Sequence, residues 1–338
     1  MVDPLAASRT PLPLPARGIA LKWIELSPGF ACNCRCSGCF SCSADPDSQM
    51  EWDEVQRWVL SGRRRGARHI WLSGGEPTIR KDFLRTVRLA QQVGYQRIKV
   101  QTNGMMFAYP GFAERALAAG LNEANLLLKS LDARVHDGLN RTPGSFELLA
   151  KGIDGLRAAS EASGRPIRLE GDILMTSRNY RELPELVDHY GALGFRHFNV
   201  WLFSLVDQGD RDLRRLVPSL SAARPYLVEA FDRARERGIT FASLNTPHCS
   251  VPADRWAMQF DPAGMQLYVV NPGGHAFMLE HSSIELGVYL PPCEQCAVRS
   301  HCHGIRQDYL DVHGAAEIRA VSAAEAEGRD PVGTVLDL

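Results

Sequence analysis

The chain has 338 residues, 45% of them hydrophobic and 23% charged, with a formal charge of −1. That length buries a full core and allows one large domain or two smaller ones. The balanced charge gives no electrostatic reason to expect nucleic acid or an anionic membrane as a partner.

Residues 1–18 are rich in proline and lack the apolar centre of a signal peptide, so a flexible arm is expected there. No run of 18 apolar residues follows, which argues against a transmembrane helix and predicts a cytoplasmic protein with reduced thiols. Six segments read as strands, rich in β-branched and apolar residues: 21–27, 68–74, 97–103, 124–132, 166–176 and 195–203. Helical periodicity lies between them. Trp52, Val55 and Val59 share one face, Leu149, Ile153 and Leu156 another, and Leu183, Leu186, Val187 and Tyr190 a third. Arg63, Arg64 and Arg65 read as the polar end of the first helix, and Gly94 and Gly194 stand where helices should stop. Serial β–α units predict an α/β fold with a parallel sheet, either open and doubly wound or a partial barrel, with the chemistry at the carboxyl ends of the strands.

A further helix over about 218–237 ends at Gly238, and there the rhythm changes. Residues 264–280 read as a hairpin turning at Asn271-Pro272-Gly273-Gly274. A boundary near 240 is expected, separating a core domain (19–239) from a small cysteine-bearing α+β module (240–338).

Nine cysteines are present, and five of them (Cys32, Cys34, Cys36, Cys39 and Cys42) fall within eleven positions after the first strand. The odd total and tight spacing argue against a disulfide framework, leaving zinc and iron–sulfur chemistry. Cys32, Cys36 and Cys39 form C-x3-C-x2-C. Three thiolates in one loop suit a cubane cluster with one open iron, whereas structural zinc wants four ligands that close a tetrahedron. Cys34 and Cys42 are left as buried or bystander thiols. Later, Cys293, Cys296 and Cys302 form C-x2-C-x5-C, with Cys249 upstream. Four thiolates close one cubane, although His248, His301 or His303 are alternative ligands and zinc fits the same sulfurs. At 74–77, Gly74 and Gly75 leave room for a cofactor to approach the backbone, and Glu76 offers a carboxylate to a cation.

Four stretches in this order, "CNCRCSGCF", "LSGGEPT" (72–78), "QTNG" (101–104) and "KSLDA" (129–133), resemble the motifs of the radical S-adenosylmethionine (radical SAM) superfamily. "HDGLNRTPGSF" (136–146) and "LMTSRNYREL" (174–183) extend the resemblance over about 21–205. It implies a partial (β/α)6 TIM-like barrel in which Cys32, Cys36 and Cys39 hold a [4Fe-4S] cluster with an open iron. By the same resemblance Glu76 and its neighbouring backbone hold the methionyl ammonium of S-adenosylmethionine. Ser130 and Arg141 hold its carboxylate, Thr102 and Asn103 touch the ribose or methionine, and Phe40 flanks the cluster or adenine. C-x2-C-x5-C resembles part of the SPASM pattern, but Arg306 stands where a further cysteine would follow. A shortened, twitch-like module with one auxiliary [4Fe-4S] cluster on Cys249, Cys293, Cys296 and Cys302 is therefore implied.

The chemistry implied is reductive cleavage of S-adenosylmethionine and hydrogen abstraction from a small-molecule substrate of sugar, aminocyclitol or nucleoside type. The setting would be natural-product or cofactor biosynthesis, with a reducing partner such as flavodoxin or ferredoxin. A maturase of a ribosomally made peptide is the alternative. The chain before the first strand reads as too short for a leader-binding domain. A zinc-stabilised, non-enzymatic binding protein is a third reading, and it leaves "GGEPT" without a purpose.

Overall fold

The structure is a computed structural model describing residues 21–39, 41, 45–205, 211–282, 284–285 and 287–331; the proposed arm, Phe40 and Cys42 lie outside the described residues. In chain order the elements are β1 (Trp23–Leu26), α1 (Trp52–Arg64), β2 (His69–Leu72), α2 (Phe83–Gln92), β3 (Arg97–Thr102), α3 (Phe112–Ala119) and β4 (Glu123–Leu128). There follow α4 (Ala133–Asn140), α5 (Ser145–Ser163), β5 (Arg168–Met175), α6 (Leu183–Ala192), β6 (Phe195–Leu202), α7 (Arg211–Arg214), α8 (Leu220–Glu236) and β7 (Thr240–Leu244). The chain ends through β8 (Leu267–Val270), β9 (Ala276–Met278), α9 (Gln307–His313) and α10 (Ala323–Ala326), with short 3-10 turns between them.

All six expected strands form. The fold is mixed α/β, and its sheet does not close. Two compact units interleave along the chain: Met1–Leu126 with Asn140–Arg168 and Gln266–Leu279, and Leu127–Leu139 with Leu169–Met265 and Glu280–Leu338. In the first unit β2 lies parallel between β1 and β3, and β3 runs parallel to β4. β1 also takes β8 as a parallel neighbour, and β9 closes antiparallel on β8. The expected hairpin is therefore real, but its first strand continues the sheet of the first unit. In the second unit β6 lies parallel between β5 and β7. The strand β7 falls just past the expected boundary and was not foreseen. Nor were α3 and α4, whose segments are short and interrupted by polar residues, whereas α2 ends just before Gly94, as expected.

The helices bury the faces that their periodicity marks. α1 buries Val55, Trp58 and Val59, and α5 buries Leu149, Ile153 and Leu156. α8 begins at Ser219, whose side chain accepts from Ala222 N, and it stops before Gly238, which takes a left-handed φ of 65°.

A charged pair is buried inside the first unit. Glu123 (1% exposed) receives Lys99 Nζ at 2.7 Å and Arg97 Nε at 2.7 Å, and Lys99 is itself 1% exposed. The Lys99 ammonium also faces the rings of Trp71 (4.6 Å) and Trp23 (5.1 Å). A buried charge persists only when paired and hydrogen-bonded, so the pair fixes the register of β3 against β4. Changing Glu123→Leu alone strands the Lys99 charge and should cost about 3–5 kcal/mol. Adding Lys99→Met should recover part of that loss. Chemical denaturation of both variants checks this, and equal stability of the single and double variants would refute it.

Candidate active site and cysteine pocket

The first cysteine loop leaves β1 at its carboxyl end, the GGEP turn leaves β2, and Thr102-Asn103-Gly104 leaves β3. Parallel pairing of adjacent strands brings these three turns to one edge. They interlock by hydrogen bonds. Gly75 N donates to Gly29 O and Glu76 N to Ala31 O, both at 2.9 Å. The two glycines are required by this approach. A Cβ on Gly74 (φ 109°) would lie 2.5 Å from Gly29 O, and one on Gly75 would lie 2.2 Å from Ala31 O. The space that the sequence suggested for a cofactor is thus taken, on this side, by the backbone of the cysteine loop.

Glu76 is the hub. It is 3% exposed, and its Oε1 accepts from Thr78 N (3.1 Å), Thr78 Oγ1 (2.5 Å) and Thr102 Oγ1 (2.7 Å). Its Oε2 accepts from Asn103 N at 2.8 Å. Burial pushes the carboxyl above its ordinary range, and these donors, Thr78 first, pull it back. Oε2 carries a single bond among the described residues, so it is the atom with capacity for a ligand N–H. Thr102 and Asn103 are likewise committed to the fold. Thr102 Oγ1 also accepts from Gly104 N, while Asn103 Nδ2 donates to Asn33 Oδ1 at 2.7 Å inside the cysteine loop.

Within that loop Cys32 is exposed, Cys36 and Cys39 are half-buried, and Cys34 is buried. Cys34 N donates to Cys32 Sγ at 3.3 Å, and Cys34 Sγ receives Asn103 Nδ2 at 3.7 Å. Contact with Cys32, followed by burial, pushes the Cys34 thiol up to about 11, against a lowering contact from Cys36. Cys34 is buried inside the loop. Cys36 Sγ donates to Asn140 Oδ1 at 3.2 Å, and Asn140 O accepts from Arg35 N. Asn140 thus touches the loop, a contact that sequence reasoning did not foresee. Arg141 is exposed, with a left-handed φ of 49°. A second missed residue is Arg80, four positions after Glu76, which donates to Pro28 O (2.8 Å) and Met50 O (3.1 Å) and clamps both ends of the loop. In the second unit Ser130 is fully buried, and its Oγ donates to Glu182 Oε2 at 2.7 Å. Ser130 therefore anchors Glu182 of "NYREL" to the turn after β4.

The later cysteines converge. Cys249, Cys293, Cys296 and Cys302 line one pocket of about 340 Å³, with His248, Arg299 and Arg319 among its walls. Cys249, 44 positions before Cys293, arrives on the 3-10 turn after β7. His301 does not line that pocket, and His303 lines a neighbouring one. Val321 N points at Cys296 Sγ and Gly304 N at Cys302 Sγ, both at 3.4 Å. Backbone N–H groups aimed at sulfur stabilise thiolates and tune a cluster. Burial, then proximity to Cys302 and Cys293, raises the Cys249 thiol, and burial raises Cys302, so metal loading must release protons. Among the described residues no group of three or more Cys, His, Asp or Glu converges as the ligands of a single ion do. Arg306, where the fuller pattern has cysteine, is buried and bonded to Asp308 Oδ1, Leu202 O and Phe203 O. That position is filled by an ion pair.

Changing Glu76→Ala leaves Thr78 and Thr102 hydroxyls and Asn103 N without their acceptor. The expected result is a loss of about 2–4 kcal/mol in stability, because the carboxylate holds the turns, together with weaker cofactor binding if Oε2 accepts from the ligand. Thermal unfolding read beside a cofactor titration checks this; an unchanged midpoint would remove Glu76 as the hub.

Residues 26–164 match the model of the radical SAM superfamily. A GTP 3',8-cyclase of Marinobacter nauticus is 33% identical over 174 residues, covering 51% of each chain. An AdoMet-dependent heme synthase of Methanosarcina barkeri is 28% identical over 191 residues, covering 56% of this chain and 52% of its own. The chain thus spans about half the length of the curated relatives it matches. The structure of Streptococcus suis SuiB bound to S-adenosylmethionine superposes with a TM-score of 0.62 at 14% identity, covering 90% of this chain and 77% of that one. That likeness reaches the fold alone. The cysteine loop, the GGEP turn and Thr102-Asn103 all lie inside the matched span, so residues 26–164 are similar to a radical SAM domain.

Proposed function

We propose that this protein is a radical SAM enzyme of small-molecule biosynthesis, acting on a nucleoside- or sugar-type substrate. The observation that carries the reading is the Glu76 carboxylate, which ties the turns after β2 and β3 to each other and, through Asn103 and Asn33, to the cysteine loop. When bound, the cluster and S-adenosylmethionine supply a 5′-deoxyadenosyl radical that abstracts hydrogen from an unactivated C–H bond.

The chain's own residues bind and position. Cys32, Cys36 and Cys39 are the thiolates for the first cluster, and Asn140 and Arg80 fix the loop that presents them. Glu76 Oε2 offers an acceptor to the ammonium of the cofactor, and Ser130 and Arg141 remain candidates for its carboxylate. Cys249, Cys293, Cys296 and Cys302 are the ligand set for one auxiliary [4Fe-4S] cluster. Named relatives that use GTP incline the substrate towards nucleotides. The maturase reading draws on SuiB, one structure of which is bound to its precursor peptide, and that likeness carries the fold without the substrate. A soluble one-electron donor of flavodoxin or ferredoxin type completes the cycle. No helix among the described residues is long and apolar enough to cross a membrane.

Anaerobically reconstituted protein should release 5′-deoxyadenosine from S-adenosylmethionine under a strong reductant. The triple variant Cys32→Ala, Cys36→Ala, Cys39→Ala should release none, and normal turnover by it would overturn the assignment. Iron content separates the two sites: about eight irons per chain in the wild type, falling towards about four when Cys293 and Cys296 become alanine. About four irons and one zinc in the wild type would make the second site a zinc centre instead.

A further inference from the structure

The turn after β4, in the second unit, carries a cation without an anion. Lys129 directly follows the last residue of β4 and is only 5% exposed. Its backbone is held in place. Asn179 Nδ2 donates to Lys129 O at 2.6 Å and to Leu174 O at 2.9 Å, tying this turn to the end of β5. Among the described residues, however, the Lys129 ammonium makes no hydrogen bond and no ion pair.

Two acids reach the same turn, and both are committed elsewhere. Glu182 Oε2 accepts from Ser130 Oγ at 2.7 Å and from Leu131 N at 3.0 Å. Asp132 Oδ1 accepts from Arg134 N at 2.7 Å, and its Oδ2 lies 3.6 Å from the Arg134 guanidinium. His136 on α4, 1% exposed, is no counterion either. Burial first, and the Lys129 charge second, hold its imidazole down at about 4, so it is neutral. Enclosed lysines are normally paired, because burial removes the solvation that the charge had in water. A water molecule can accept a hydrogen bond from the ammonium, but it brings no opposite charge to offset that loss.

We propose that Lys129 anchors an anionic oxygen, of a carboxylate or a phosphate, on a molecule bound at the carboxyl end of β4. Parallel α/β sheets present their ligands at that end of the strands. A cation fixed in advance and left without a partner costs the empty protein stability, and the bound anion recovers it. The inference stands on the missing counterion; the reaction proposed above serves only to choose the probes. Two sources of the anion come with that reaction, the cofactor's carboxylate and the phosphates of a nucleotide.

The test uses full-length protein, anaerobically reconstituted, with Lys129→Met and Lys129→Arg beside the wild type. Calorimetry measures binding of S-adenosylmethionine and of its decarboxylated analogue, and of GTP and guanosine. Lys129→Met should weaken one anionic probe about ten-fold or more and leave its counterpart lacking the anion unchanged. The affected pair names the source. Lys129→Arg, which keeps the charge, should retain most of the affinity. Without any probe, Lys129→Met should unfold no lower than the wild type, since it removes an unpaired buried charge. The proposal is overturned if neither anionic probe is weakened, if the counterpart weakens equally, or if the empty Lys129→Met protein melts well below the wild type. Release of 5′-deoxyadenosine by the wild type, measured alongside, reports separately on the radical chemistry.

Discussion

A buried carboxylate with four hydrogen bonds organises the first unit's site. Glu76 could sit in water at little cost; instead it is enclosed, and the cost of enclosing it is offset only because donors from two turns converge on it. Those turns close successive parallel strands. Satisfying one charge therefore sets the distance between the ends of β2 and β3, and Asn103 extends that constraint into the cysteine loop. Among its described residues the loop has one isolated bridge, Gly29 to Gln49. Its shape is borrowed from Glu76, Asn103, Arg80 and Asn140. A loop that must present three sulfurs to a bulky cluster needs that external bracing, since thiols on a mobile segment would pay ordering entropy on loading.

The second unit solves a similar problem with different chemistry. Its four thiols come from a 3-10 turn after β7 and from two short turns near 293 and 302, and backbone N–H groups support two of the sulfurs. Beside them, the Arg306–Asp308 pair fills the position at which the fuller cysteine pattern would continue. An arginine there cannot ligate a metal, and its fork instead caps the carbonyls at the end of β6. The substitution removes one potential cluster ligand.

Several residues that invite a cofactor role on chemical grounds have structural duties as well. Thr102 and Asn103 hold turns, Ser130 holds Glu182, and Gly74 and Gly75 admit carbonyls of a neighbouring loop. Such double use means that substitutions at these positions report on folding and binding together. Activity alone does not separate the two effects, and the stability of each variant has to be read beside it.

The sequence by itself determined the six strands, the main helices and the first cysteine triad, because their signals are local: β-branched runs, 3.6-residue periodicity and ligand spacing within one loop. It also marked the GGEP turn and the expected hairpin over 264–280. Tertiary structure decided what depends on residues distant in the chain. Cys249 joins Cys293 only once β7 sets the course of the following turn, and β8 pairs with β1 across some 240 positions. Asn140 meets Cys36 in the cysteine loop only once α4 has carried it there. The unpaired charge of Lys129 has no signature in sequence at all, for the absence of a partner is a property of packing and is fixed only when every neighbour is in place.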